Sequence, residues 1–121
     1  MIQPPIVVDA KSEVLLFRSP ERAGAYLEAI DVRNGEYAAA YDSEGRRLEL
    51  GIRSVERRFL GLIRTQLDLV DVRALEDEPS HAAELATLLK THLLRQGLGE
   101  FSTQSVGPLV ATAIDRLGFT A

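Results

Sequence analysis

Apolar positions along this chain recur with two periods, and each change of period marks an element. Two short apolar runs come first, "IVV" at 6–8 and "EVLLF" at 13–17. Both are of strand length, the first serving as a strand or as an extended arm. In "SPER", Ser19 is placed as an N-cap, Pro20 at the first helical position and Glu21 in the first turn, where its charge complements the helix dipole. Ala23, Tyr26, Leu27 and Ile30 then recur at helical spacing, until "RNG" at 33–35 stops the helix with turn residues.

From 36 onward the period shortens to two. Residues 36–41 and 46–53 flank "DSEG", in which Asp42 opens a turn and Gly45 can take the positive φ the return needs, so a hairpin is predicted. Leu48, Leu50 and Ile52 alternate with Arg47, Glu49, Gly51 and Arg53, which gives the second strand one buried and one wet face. Residues 55–70 fit both periods: Val55, Phe59, Leu62, Ile63 and Val70 share a helical arc, while "LDLVDVRAL" reads as a strand. A strand over 65–74 is preferred, because three antiparallel strands are more stable than a lone hairpin. "SVERRFLGL" is then a loop or a bent continuation of the second strand.

"EDEP" at 76–79 ends that strand and opens the longest helix, with Leu85, Leu88, Leu89 and Leu93 as its buried stripe and Gly97 and Gly99 closing it. A last helix over 104–117 turns Val110, Ala113, Ile114 and Leu117 inward; Gly118 terminates it, and Phe119 is placed to cover Ile114 and dock the tail. The expected fold is α+β: a small antiparallel sheet with a hairpin, one N-terminal helix, and two C-terminal helices packed on one face. At 121 residues and 45% hydrophobic content the chain reads as one domain with one core.

Composition narrows the chemistry. A net charge of -4 gives no general attraction to nucleic acid or anionic membrane, and the absence of cysteine excludes disulfides, thiol catalysis and thiolate metal sites. No apolar run approaches the roughly 18 to 20 residues a membrane span needs. With no signal-peptide pattern at the N-terminus, a cytoplasmic location is expected.

Sharp motifs are lacking. His81 and His92 stand eleven residues apart, too far along one helix to share a metal, and read as surface or helix-end histidines. Glu76, Asp77 and Glu78 lie where a helix N-terminus favours acid, without the alternating ligands of a calcium loop. "GLGE" at 97–100 follows a helix instead of opening one and cannot present helix N–H groups to phosphate. No catalytic residue, metal site or cofactor is therefore expected. What stands out is charge: Arg46, Arg47, Arg53, Arg57, Arg58 and Arg64 face only Glu49 and Glu56 across 46–64, in an acidic chain. These six are the candidate partner-binding residues, against the plainer reading of a solvated sheet face. Phe59 and Leu60 within the segment are interface anchors if exposed and core if buried.

Read in order, "SPERAGAYLEAIDVRNGEYAAAYDSEGRRLEL", "EDEPSHAAELATLLKTHLL" and "AIDRLGF" resemble small bacterial immunity-type proteins encoded beside polymorphic toxins. The resemblance spans most of the chain and rests on a helix, "D-V-x-N-G-E-Y", an acidic hairpin turn and a leucine-striped helix. It implies a non-enzymatic protein that occludes a cognate toxin in the cytoplasm, and transfers no functional residue. The rival classes are a nucleic-acid- or nucleotide-binding regulatory domain using the same arginines, short of aromatics for stacking, and a subunit of an assembly. Partner identity and oligomeric state are left open by the sequence.

Overall fold

The computed structural model describes residues 1–59, 61, 63–98 and 105–121. Its elements run β1 (Ile6–Asp9), β2 (Val14–Phe17), α1 (Pro20–Tyr26), α2 (Ala29–Arg33), β3 (Ala39–Tyr41), β4 (Arg47–Phe59), β5 (Ile63–Ala74), α3 (Ala82–Arg95) and α4 (Val106–Leu117). The strands form one antiparallel sheet in the order β2-β1-β3-β4-β5, so the fold is α+β. β1 is an interior strand and not an arm. Its unbroken apolar run is explained by cover on both faces: Ile6 and Val8 enter one core, Val7 the other, and all three are fully buried.

The first core gathers Ile6, Val8, Leu15, Phe17, Ala40, Leu48 and Val70 under Ala23, Leu27 and Ala29 of the segment that carries α1 and α2. The single helix expected here is broken. Leu27 and Glu28 take extended ψ values of 140° and 135°, a kink that lets Leu27 and Ala29 both point inward while Tyr26 and Ile30 stay exposed. Ser19 caps α1 as expected, its side chain accepting from the Arg22 N–H at 3.1 Å. α1 touches both β2 and β5, the two outermost strands, so the sheet curls over this face. The approach to β5 is close enough that a Cβ on Gly24 would sit 2.6 Å from the Val70 carbonyl oxygen.

On the opposite face α3 and α4 pack together, as expected of the two C-terminal helices. Leu85, Leu89, Leu93, Leu109 and Ala113 are fully buried against Val7, Leu16 and Tyr41. Each such leucine contributes about 1.5 to 3 kcal/mol of transfer free energy. α3 begins at Ala82, later than Pro79, and ends in a Schellman closure: the Leu98 N–H donates to the Leu93 carbonyl and Gly97 (φ 70°) to Leu94, both at 3.0 Å. At α4 Gly118 bonds back to Ile114, and Phe119 joins the same core. The tail is docked: Thr120 donates to the Leu16 carbonyl at 2.7 Å, and the Arg18 guanidinium lies 4.5 Å from the Phe119 ring centre.

Among the described residues the ambiguity resolves to strand over 55–59 and 63–70, with Gly61 in a turn between them. β4 continues through "SVERRF" to Phe59, and β5 pairs with it from Leu48↔Ala74 to Phe59↔Ile63. Leu60, Gly99 and Gln104 lie outside the described residues, as do the side chains of Phe59 and Arg64.

Candidate functional site

β4 has thirteen residues but β3 pairs with only two of them, Leu48 with Ala40 and Arg47 with Tyr41. From Glu49 to Phe59 its only strand neighbour among the described residues is β5. At about 3.3 Å per residue the ribbon runs on for roughly 35 Å past the end of β3. Register assigns its faces. Leu48, Leu50 and Ile52 with Val70 and Val72 turn to the α1–α2 core, followed outward by Ser54, Glu56, Arg58, Gln66 and Asp68. Arg47, Glu49, Arg53, Val55 and Arg57 share the other face with Leu67, Leu69, Asp71 and Arg73. Among the described residues the α3–α4 core includes no residue of β4 or β5, so beyond Arg47, which Glu84 of α3 approaches, this second face lies outside both cores. Leu69 is 38% exposed on it, and Val55 and Leu67 are half-buried beside it.

Polar contacts pin the arm to the body. Asp68 accepts from the Ser54 hydroxyl and from the Arg33 guanidinium of α2, each at 2.6 Å, and these two bonds, the hydroxyl's first, hold its carboxyl below the usual range. Arg53 pairs with Asp71 at 3.1 Å across the strands. The Arg73 guanidinium lies over Gly51, where a Cβ would come within 2.9 Å of it.

The six candidate arginines divide. Arg46 is a correction: it is 6% exposed and cannot meet a partner. Its Nη1 bonds to the fully buried Asp42 carboxylate and to the Met1 carbonyl at 2.8 Å, while its Nε donates to the Asp77 carbonyl at 2.9 Å. Asp42 also accepts from the backbone N–H groups of Gln3, Glu44 and Arg46. The turn of the hairpin is thus a hub joining the N-terminal segment, the sheet and the approach to α3. Arg47 serves the same body: half-buried, it packs 5.5 Å from the Tyr41 ring centre and 3.9 Å from Glu84 of α3, with its Nε buried and without a hydrogen bond among the described residues. Arg53, Arg57 and Arg58 are exposed on the arm, with Arg58 4.0 Å from Glu56. Arg64 opposes Arg58 in register.

Leu67, Leu69 and Arg73 were not singled out by their sequence. Their signal is the alternation within "LDLVDVRAL", which sets Leu67 and Leu69 opposite Val70 and Val72 once the strand is accepted.

His81 caps α3 and joins Ser80 and Glu76. Both the Ser80 hydroxyl and the Glu76 carboxylate face the same ring nitrogen, Nδ1, whereas a nucleophile–base–carboxylate relay sets them on opposite nitrogens. Glu76 also accepts the Ser80 N–H at 2.8 Å, and the Ser80 side-chain bond above all carries its pKa down to about 2. This geometry ties the loop to the start of α3. His92 departs from the surface reading: it is buried among the α3 contacts, and burial, with Arg95 nearby, pushes its pKa down. Among the described residues no three His, Asp or Glu side chains come together to hold a metal, and no helix is long and apolar enough to cross a membrane.

Comparison with protein-family models, with curated proteins and with solved structures found no match to this chain.

Proposed function

We propose that this protein acts by stoichiometric binding of a partner protein, through the open face of the β4–β5 arm. The observation that carries the reading is that Leu67, Leu69 and Val55 share a sheet face that belongs to neither core among the described residues, together with the exposed Arg53 and Arg57. Apolar groups bordered by arginine forks are the composition of a protein interface, where arginine is enriched. A ribbon tied to α2 through Arg33 and Asp68 and braced across its strands by Arg53 and Asp71 loses little conformational freedom on binding. In line with the sequence resemblance, the partner is a toxin domain that the arm occludes, and the role is that of an immunity-type protein.

On this face Glu49 and Asp71 interleave with the arginines, an arrangement that suits a mixed protein surface better than a phosphate backbone. The test is complex formation between the chain and the product of the gene beside its own, by gel filtration and calorimetry. Arg57→Glu should weaken the complex about tenfold, mainly through the association rate, with a shallow salt dependence. Tight RNA binding with affinity falling steeply with salt, and no protein complex, would replace this reading with nucleic-acid recognition.

A further inference from the structure

The outer edge of β2, and that of β5 around Val70, are covered. The tail bonds along β2 at Leu16 and Arg18, and α1 lies against the β5 backbone at Val70. β4 is different: beyond Leu48 its inner edge loses β3 and presents its backbone groups to no other strand among the described residues. A long open edge of this kind is a template for pairing with another strand.

The charge at that end of the molecule is complementary to the arm. β1 leaves the sheet at Asp9, opposite Ala39 where β3 enters, and β4 runs on past both. The arm and the connections around 10–13 and 36–38 therefore lie at one end of the sheet. A groove of about 510 Å³ opens there, lined by Glu13, Glu28, Asp31 and Glu36 with Tyr26 and Tyr37. Tyr37 donates to Asp31 at 3.4 Å, and Glu28 and Glu36 have no ion-pair partner among the described residues. Leu15 and Tyr37 place this groove on the α1–α2 side of the sheet. That is also the side onto which register turns Arg58.

We propose that a second copy of the chain pairs antiparallel along the free edge of β4, about a two-fold axis near Val55. The axis stands normal to the sheet, so the two α1–α2 faces lie on the same side of one continuous sheet. Each arm fills the notch beside the other copy's β3. Its end, with Arg58 directed to the α1–α2 side, arrives at the acidic groove of the other copy. The pairing uses the edge and leaves the face bearing Leu69 and Arg57 open in both copies, so the dimer presents two partner surfaces on one side.

The experiment is sedimentation of the full chain over a range of concentrations at low salt, with Arg58→Glu, Glu36→Arg and the two combined. Both positions are exposed, and melting curves confirm that the variants fold. Each single reversal enters the symmetric interface twice and should raise the dimer dissociation constant about tenfold. The combined variant, whose charges are exchanged in both copies, should return to within about threefold of the original. Hydrogen exchange across 51–59 should slow with protein concentration, while α3 is unaffected. A monomer up to millimolar concentration overturns the proposal, as does a dimer indifferent to both reversals or one the combined variant fails to restore. Either result leaves the partner reading standing if Arg57→Glu still weakens the complex, and a dimer that binds no neighbouring protein removes the partner reading alone.

Discussion

Gly45 is where turn chemistry and tertiary packing meet, and its substitution separates their contributions. The residue sits at φ 91°, and a Cβ built there would lie 2.4 Å from the Cα and 2.6 Å from the N of Ala82, the first residue of α3. Gly35 has a similar φ of 69° with nothing within 4 Å of its Cβ position. Gly35→Ala therefore reports the backbone term alone, about 1 kcal/mol. Gly45→Ala adds a backbone collision that no rotamer relieves. Separating the atoms to ordinary contact requires α3 to retreat by more than 1 Å. That also disturbs the bond from the His81 N–H to the Gly45 carbonyl, 3.0 Å long. Overpacking of this kind costs about 1 to 3 kcal/mol, so the total is about 2 to 4 kcal/mol. With an unfolding entropy of about 2.1 cal/mol/K per residue, 1 kcal/mol corresponds to about 4 °C for a chain of this size. Gly35→Ala should melt about 4 °C below the original protein, and Gly45→Ala about 8 to 16 °C below it. Equal shifts for the two, read by calorimetry, would show that the contact with α3 is not a constraint on the turn.

Arg46→Met should lower stability by about 3 kcal/mol, because it strands the buried Asp42 carboxylate, and a melting temperature within about 4 °C of the original would contradict the hub at this turn. Glu76 has its pKa lowered from 4.5 to about 2, so in the unfolded chain it takes up a proton at higher pH than in the folded one. Its contribution is complete above about 4.5 and is lost as pH falls toward 2; the melting deficit of Glu76→Gln should be full at neutral pH and close through that window, and a deficit independent of pH would refute the assignment.

Elements that rest on local chemistry were legible in the residues. "DSEG" reads as a turn because Gly45 supplies a conformation other residues resist, and the leucines at 85, 89 and 93 recur at the spacing of one helix face. The break at Leu27 and Glu28 has no glycine or proline to announce it; it exists because Leu27 and Ala29 must both reach a core whose shape is set by distant strands. Burial of Arg46 was hidden for the same reason. Its partners Met1 and Asp77 stand 45 and 31 residues away, and a run of arginines looks alike whether its members face water or a buried carboxylate. The continuation of β4 through "SVERRF" was obscured because, among the described residues, 54–58 join neither core, leaving little alternation to read.

The division among the arginines bears directly on how any loss of function should be interpreted. Arg46 and Arg47 close the turn and hold α3 to the sheet, whereas Arg57 and Arg58 stand exposed on a ribbon held through other residues, Arg53 among them. Removing Arg46 destabilises every surface at once, so lost binding in that variant would say nothing about contact. At Arg57, exposed and without an ion-pair partner among the described residues, a substitution changes stability by no more than about 0.5 kcal/mol. Lost binding there, at an unchanged melting temperature, reports the surface itself. The same separation holds along the arm: Arg33, Ser54 and Asp68 lock it to α2, so truncating them loosens the ribbon while leaving the chemistry of its open face intact. An affinity that falls for these as it does for Arg57 would mean that the partner needs the ribbon held rigid as well as its charge.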